Sequence, residues 1–288
     1  MKYRYSSLIF VLVLLLSITL AVAQAGAFKA DDNSLQLPFG QTEELVYEGE
    51  FSRSLLRSIN IAELRFRATR TSDNRSARTG NQDEPVKLQF TAEATSKGIF
   101  SKLFKLNFRQ RIESTVEPSS FTVLRTVKLD VQGKRLRESE AVFDAKAGRV
   151  VWTEKDPNDP SRTPRVVTNE TKGTIQDIAS VFYFLRTQEL EPGKSFELTV
   201  SDSGQIYSLP VKVVERKKMK TMLGEVSTVR VDPELFGEGR LIRGEGKISI
   251  WFTDDARHIP VRARISNNMG TVEIKLKSLS GGGQTKKS

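Results

Sequence analysis

The chain of 288 residues contains no cysteine and a single histidine, His258. Without thiols there is no disulfide, no lipid attached through a cysteine, and no thiolate-held zinc or iron–sulfur centre. The H-E-x-x-H spacing of metallopeptidases does not occur. Also missing are G-x-S-x-G, which presents a nucleophilic serine, and the G-x-x-x-x-G-K-[ST] loop that cradles phosphates. The glycine-rich "GEGRLIRGEG" does not replace that loop, because Glu238 and Glu245 repel phosphate and no long helix follows. These absences remove the common hydrolase, nucleotide-binding and redox classes; an acidic "DPNDP" turn with Asp156 and Asp159 lacks the EF-hand spacing for calcium. No metal or cofactor is expected.

A long apolar run is present at the amino terminus. Lys2 and Arg4 precede "SSLIFVLVLLLSITLAVAQAGA", which ends in small residues at the A-x-A spacing of a signal-peptidase site, with the cut after Ala23 or Ala25. Residues 1–25 therefore read as a secretory signal; a retained transmembrane anchor is the alternative, for which the apolar stretch is slightly short. An exported chain without disulfides is held by its core alone, which suits a periplasmic or secreted protein of this size. The formal charge is +10. Outside the cytoplasm its polyanionic partners are lipid phosphates and acidic glycans rather than nucleic acid.

Beyond a flexible segment at 26–40, the hydrophobic pattern has period two. In "IAELRFRAT" Ala62, Leu64, Phe66 and Ala68 share one face, and in "PVKLQFTAEAT" Val86, Leu88, Phe90 and Ala92 do the same. Between them "TSDNRSARTGNQDEP" reads as a long connection. Further strands are expected at "FKLNFRQRIESTV", "FTVLRTVKLDVQ", "LRESEAVFDA" and "GRVVWTE", then a proline-broken loop "EKDPNDPSRTPR". One segment changes period: Ile175, Ile178, Phe182 and Leu185 predict a helix over about 174–187, with Thr174 and Asp177 resembling a capping box. Tyr183 and Phe184 widen its apolar arc, as for a helix laid as a plug against a sheet. Strands resume to about residue 279, and 280–288 reads as a flexible tail. The expected fold is all-β and mostly antiparallel: a large curved sheet or open, barrel-like structure with one packed helix.

His258 stands near two adjacent acids in "KISIWFTDDARHIPVRARIS". Half-buried strands flank Asp254 to Arg257, so the acids are expected to form a turn by accepting backbone amides. The competing expectation is acid/base or metal chemistry by Asp254, Asp255 and His258, which neighbouring residues pointing to opposite faces disfavour. Basic residues with interleaved aromatics, Lys102, Lys105, Arg109 and Arg111 with Phe104 and Phe108, offer either a solvated face or a grip on an anionic amphiphile. Lys105, Arg109, Arg111, Trp251 and Arg262 are the candidate ligand-binding residues. The run "ERKKMK" at 215–220 reads as a soluble hairpin end.

The motifs "EELVYEGEF", "GIFSKLFKLNFRQRIESTVEPSSF", "TIQDIASVFYFLRTQELEPGKSFELTVSDSGQIYSLPVKV", "LGEVSTVRVDPEL" and "ISIWFTDDARHIPVRARI" together resemble the bacterial envelope family called domain of unknown function 3108, over about residues 41–279. Its D-x-x-S-x-x-Y-x-L-R helix and W-x-x-D-D-x-x-x-x-P-V-R hairpin are the specific parts. Where that family has G-x-x-x-G before its second strand, this chain has "SLLRSINIAEL". The resemblance implies an exported, antiparallel β protein and supplies no activity or catalytic residue. The coarse shape is similar to periplasmic lipoprotein carriers, in which a curved sheet wraps a helical plug around an apolar cavity. Three functions follow as expectations: a non-catalytic carrier of a lipid-like or hydrophobic anionic ligand, a scaffold that docks another envelope protein, or a hydrolase using the acids near His258.

Overall fold

The computed structural model describes residues 37–54, 56–71, 86–97 and 107–281, with the side chains of Leu56 and Arg57 left out. Fourteen strands form one antiparallel sheet, in the order β8-β7-β6-β5-β4-β3-β2-β1-β14-β13-β12-β11-β10-β9. Strands β1 (Thr42–Arg53) to β8 (Arg165–Glu170) step outward from the centre as consecutive neighbours. The chain then crosses the interior as helix α1 (Ile178–Phe184), begins again at the opposite edge with β9 (Ser195–Asp202), and steps inward until β14 (Gly270–Gly281) pairs with β1. Of the connection "TSDNRSARTGNQDEP" only Thr71, the end of β2, is described; its remaining residues and residues 98–106, which include Lys102, Phe104 and Lys105, lie outside the described residues.

Alternation sets the inner face. On β1 Leu45, Tyr47, Gly49 and Phe51 are buried, and on β4 (Phe108–Val116) Phe108, Gln110, Ile112, Ser114 and Val116 are. β2 (Leu56–Thr71), β3 (Lys87–Ser96), β5 (Val123–Gln132), β6 (Arg135–Asp144) and β7 (Arg149–Lys155) continue the wall on one side. On the other it is built by β10 (Gln205–Thr221), β11 (Gly224–Pro233), β12 (Lys247–Thr253) and β13 (Pro260–Asn267). A meander needs only tight turns: at Ser203-Gly204 both residues have positive φ, 51° and 77°, the twist that matches a two-residue hairpin. After β1 the backbone turns at Ser54, φ 44°, and β2 carries a second positive-φ residue near its start, Ser58 at 50°.

The two edges approach each other without forming a ladder. Asn169 Nδ2 on β8 donates to Gly204 O at 2.7 Å. A Cβ on Gly204 would stand 2.8 Å from the Trp152 Cβ, so the β9–β10 turn reaches β7 and β8 only because that residue is glycine. The sheet is therefore barrel-like but not closed, its edges meeting at a seam without a ladder between them.

Helix α1 is shorter than the expected 174–187. Its N-cap is Asp177, and the capping box is Asp177 with Ser180 rather than Thr174 with Asp177. Residues 174–176 are held out of the helix: Gln176 donates its backbone N to Thr199 O and accepts from Ser201 N, in a parallel bridge to β9. A single turn of 3-10 helix, Leu185–Thr187, ends the segment. Two turns are marginal alone, so packing holds it. Tyr183 stacks on Phe90 at 4.3 Å and Phe182 on Phe66 at 4.0 Å. Apolar residues on every side put the helix inside the sheet.

Three expectations change at the margins. Phe39, assigned to the flexible segment, is buried and meets Phe90 and Tyr183 edge-on. Residues 280 and 281, assigned to the tail, finish β14. Arg165–Glu170, assigned to no strand, is the edge strand β8.

Candidate ligand-binding cavity

The Asp254–His258 segment is a turn between β12 and β13, and its two acids part company. Asp254 pairs with Arg216 at 3.0 Å, while Asp255 Oδ1 accepts from Thr253 Oγ1 at 2.7 Å and from Arg257 N at 3.1 Å. Burial, the largest single influence, raises the Asp255 pKa, but these hydrogen bonds and the Arg257 charge together outweigh it and hold the carboxyl below its usual range. His258, at φ 41°, places Nδ1 3.0 Å from Arg186 O. Among the described residues no group of three His, Asp or Glu could hold a metal ion.

The turn instead completes a buried ion pair. Arg186, next after Leu185 in the helix motif, has a side chain without solvent exposure. Its Nη1 and Nη2 meet both oxygens of Glu43, Nη2 also donates to Pro38 O at 3.1 Å, and Nε donates to Arg257 O at 3.1 Å. Tyr47 Oη donates to Pro260 O at 2.8 Å beside it, and burial pushes that phenol's pKa up. The two most specific sequence motifs thus meet each other through Arg186, Arg257 and His258.

A second buried polar group lies at the helix start. Asp177 accepts from Ser114 Oγ and Thr126 Oγ1, and from the Ala179 and Ser180 amides at 3.0 and 2.7 Å. Nearby Asp202, at the seam, stands 3.8 Å from Lys128. Burial raises its pKa to about 6, with Lys128 opposing. The space between these groups, about 20 Å³, is enough for one water molecule.

The open volume is elsewhere. A cavity of about 200 Å³ lies between α1 and the inner face of the sheet. Its floor is helical, with Ile178, Val181 and Phe182; its walls come from β2–β4 on one side and β10–β13 on the other. Small residues create it. Ala92, Ala94 and Ala263 occupy inner-face positions where neighbouring rows carry Phe, Leu or Ile. Ala92 and Ala94 are only half-buried although they face inward. Gln110 turns a polar side chain into this apolar lining, whereas Glu93 and Arg262 border it from outward positions beside the inward Ala92, Ala94 and Ala263. Glu93 is engaged by Arg109 at 2.8 Å.

Of the candidate ligand-binding residues, Arg262 alone borders the cavity, and it does so from the outward row it shares with Lys275, where it acts on Glu273. Arg109 and Arg111 point outward and pair with Glu93 and Glu113. Trp251 is buried in a separate cluster with Ile259 and Val261, against Met219 and Leu223 of the β10–β11 hairpin, and offers no exposed docking face. Lys105 is outside the described residues. Gln110 was missed; its sequence signal is a polar residue at an inward position of a strand whose inward neighbours are Phe108 and Ile112.

The chain matches the family DUF3108, proteins of unknown function, over residues 52–277. It belongs to that family. A crystal structure of the beta-barrel-like DUF1849 protein from Brucella abortus superposes with a TM-score of 0.50 at 9% identity, over 83% of this chain and 97% of that one. This likeness, between two families of unknown function, is one of fold. A Bacteroides fragilis protein with a YmcC-like fold covers 86% of this DUF3108 chain and 100% of its own at 7% identity, with a TM-score of 0.30, too distant to bear on the fold. No curated protein matches the sequence.

Proposed function

We propose that this protein is a non-catalytic, exported envelope protein that shelters the apolar part of a lipid-like molecule in the cavity beneath α1. The observation that carries the reading is the cavity itself. At about 200 Å³ it exceeds the roughly 150 Å³ apolar cavity that admits benzene. An empty space of that size costs stability, on the order of 24 cal/mol per Å³ left unfilled. The alanines that hold it open are easily replaced by larger residues, so retaining the void has a use that packing does not explain. Ligand pockets share its pattern of apolar walls with a few polar groups.

Export rests on the amino-terminal charge and apolar pattern. No helix among the described residues is long and apolar enough to cross a membrane. The scaffold alternative, docking by strand addition, has less support: edges β8 and β9 face one another across the seam and are partly covered by its side-chain contacts. Native mass spectrometry of protein purified from its own cell envelope tests the proposal. An adduct of lipid mass that raises the unfolding temperature is the expected result; protein that is free of adducts, and that no added amphiphile stabilises, would refute it.

A further inference from the structure

Gln110 is 7% exposed, lines the cavity, and its Nε2 has no hydrogen-bond partner. A buried amide left unpaired is costly, roughly 1–3 kcal/mol, and native proteins rarely retain one without a use for it. Its surroundings leave it no partner. Pairing between strands sets Gln110 beside Ala94, then Leu64 and Tyr47, in one row across the cavity wall. None of the three reaches it: the Ala94 side chain is a methyl, Leu64 is aliphatic, and the Tyr47 hydroxyl is committed to Pro260 O. On the other side its ladder neighbour is Asp130, whose carboxylate already accepts from Gln132 and Arg135.

From this unpaired, buried amide on an apolar wall, we infer that the cavity's ligand is an acyl compound, an apolar chain ending in a carboxyl or ester oxygen that hydrogen-bonds the Gln110 amide. This deepens the proposed function and rests on it. A plain hydrocarbon fills the same space but leaves the amide unpaired, so it binds more weakly.

The test is displacement of Nile red from the full chain by decanoic acid, methyl decanoate and decane. The acid and ester are expected to bind about 5–30-fold more tightly than decane, the range of one buried hydrogen bond. Gln110→Leu removes that preference and leaves decane binding within about twofold. Gln110→Glu keeps the side-chain size and rejects the acid, which separates loss of the amide from loss of the fold; thermal unfolding of each variant confirms that it is folded. Equal binding of acid, ester and decane by the natural protein, or an equal loss of all three in Gln110→Leu, overturns the acyl assignment while leaving the cavity reading intact. If Nile red and all three compounds fail to bind, both fall.

Discussion

Two buried charges behave in opposite ways. Arg186 is enclosed, but every nitrogen of its guanidinium has an acceptor, and its carboxylate partner Glu43 is equally buried. Breaking such a pair strands the survivor: Arg186→Met is expected to destabilise the protein by about 3–5 kcal/mol, and Arg186→Met with Glu43→Leu by much less. Urea unfolding of the two variants checks this. If the double variant is as unstable as the single, the pair holds the segment from Pro38 to Glu43 in place through geometry rather than charge. Asp202 is less well compensated. Its pKa rises to about 6 in the folded state, against about 3.9 unfolded, because burial outweighs Lys128. The folded state therefore binds the proton more tightly. Stability from this group is fully present below about pH 4 and is lost as pH rises through 6, on the order of 2–3 kcal/mol. Unfolding midpoints measured between pH 4 and 7 should show that fall in the natural protein and a flatter profile in Asp202→Asn.

At the scale of elements, α1 depends on its first residue more than on its sequence propensity. Asp177 caps the helix and also accepts from β4 and β5, so it fastens the plug to the wall. Asp177→Ala loses the cap and leaves Ser114 and Thr126 unpaired, a cost of about 2–4 kcal/mol, with Asp177→Asn milder. Thermal unfolding measures both. Local pattern made most elements legible: alternation placed the strands, and the apolar arc of Phe182, Tyr183 and Phe184 placed a buried helix. The failures also have physical causes. β8 is partly covered at 167 and 169, but its sequence hides that alternation, with a valine at the exposed 166 and an asparagine at the covered 169, as befits an edge. Residues 174–176 carry the helical pattern, but Gln176 hydrogen-bonds to β9 and Ile175 accepts from Val123 of β5, long-range partners that no local period reveals. The turn at Asp254 was readable from its flanking strands, whereas its docking on Arg186 was not, since that contact joins residues distant in the chain.

For the whole molecule, the decisive property is where the sheet's interior is full and where it is empty. Sequence shows that Ala68 and Ala94 both face inward, yet their surroundings differ. Ala68 is 1% exposed in a packed cluster with Leu88, Phe90 and Phe39, while Ala94 borders the cavity. The difference arises from strands β10–β13 and helix α1 across the interior, and so from strand order, which the sequence did not disclose. It gives the two sites opposite responses to the same change. Ala68→Leu forces extra methyl groups into filled space and should cost about 1–3 kcal/mol. Ala94→Leu places them where there is room, burying new apolar area without displacing a neighbour, and should leave the protein as stable or about 1 kcal/mol more so. The same substitution fills the volume an apolar chain would occupy, so Ala94→Leu should retain its fold and lose Nile red binding. Thermal unfolding and Nile red fluorescence on the two variants separate the outcomes: if Ala94→Leu unfolds as readily as Ala68→Leu, the interior between α1 and the sheet is packed in solution and has no room for a ligand.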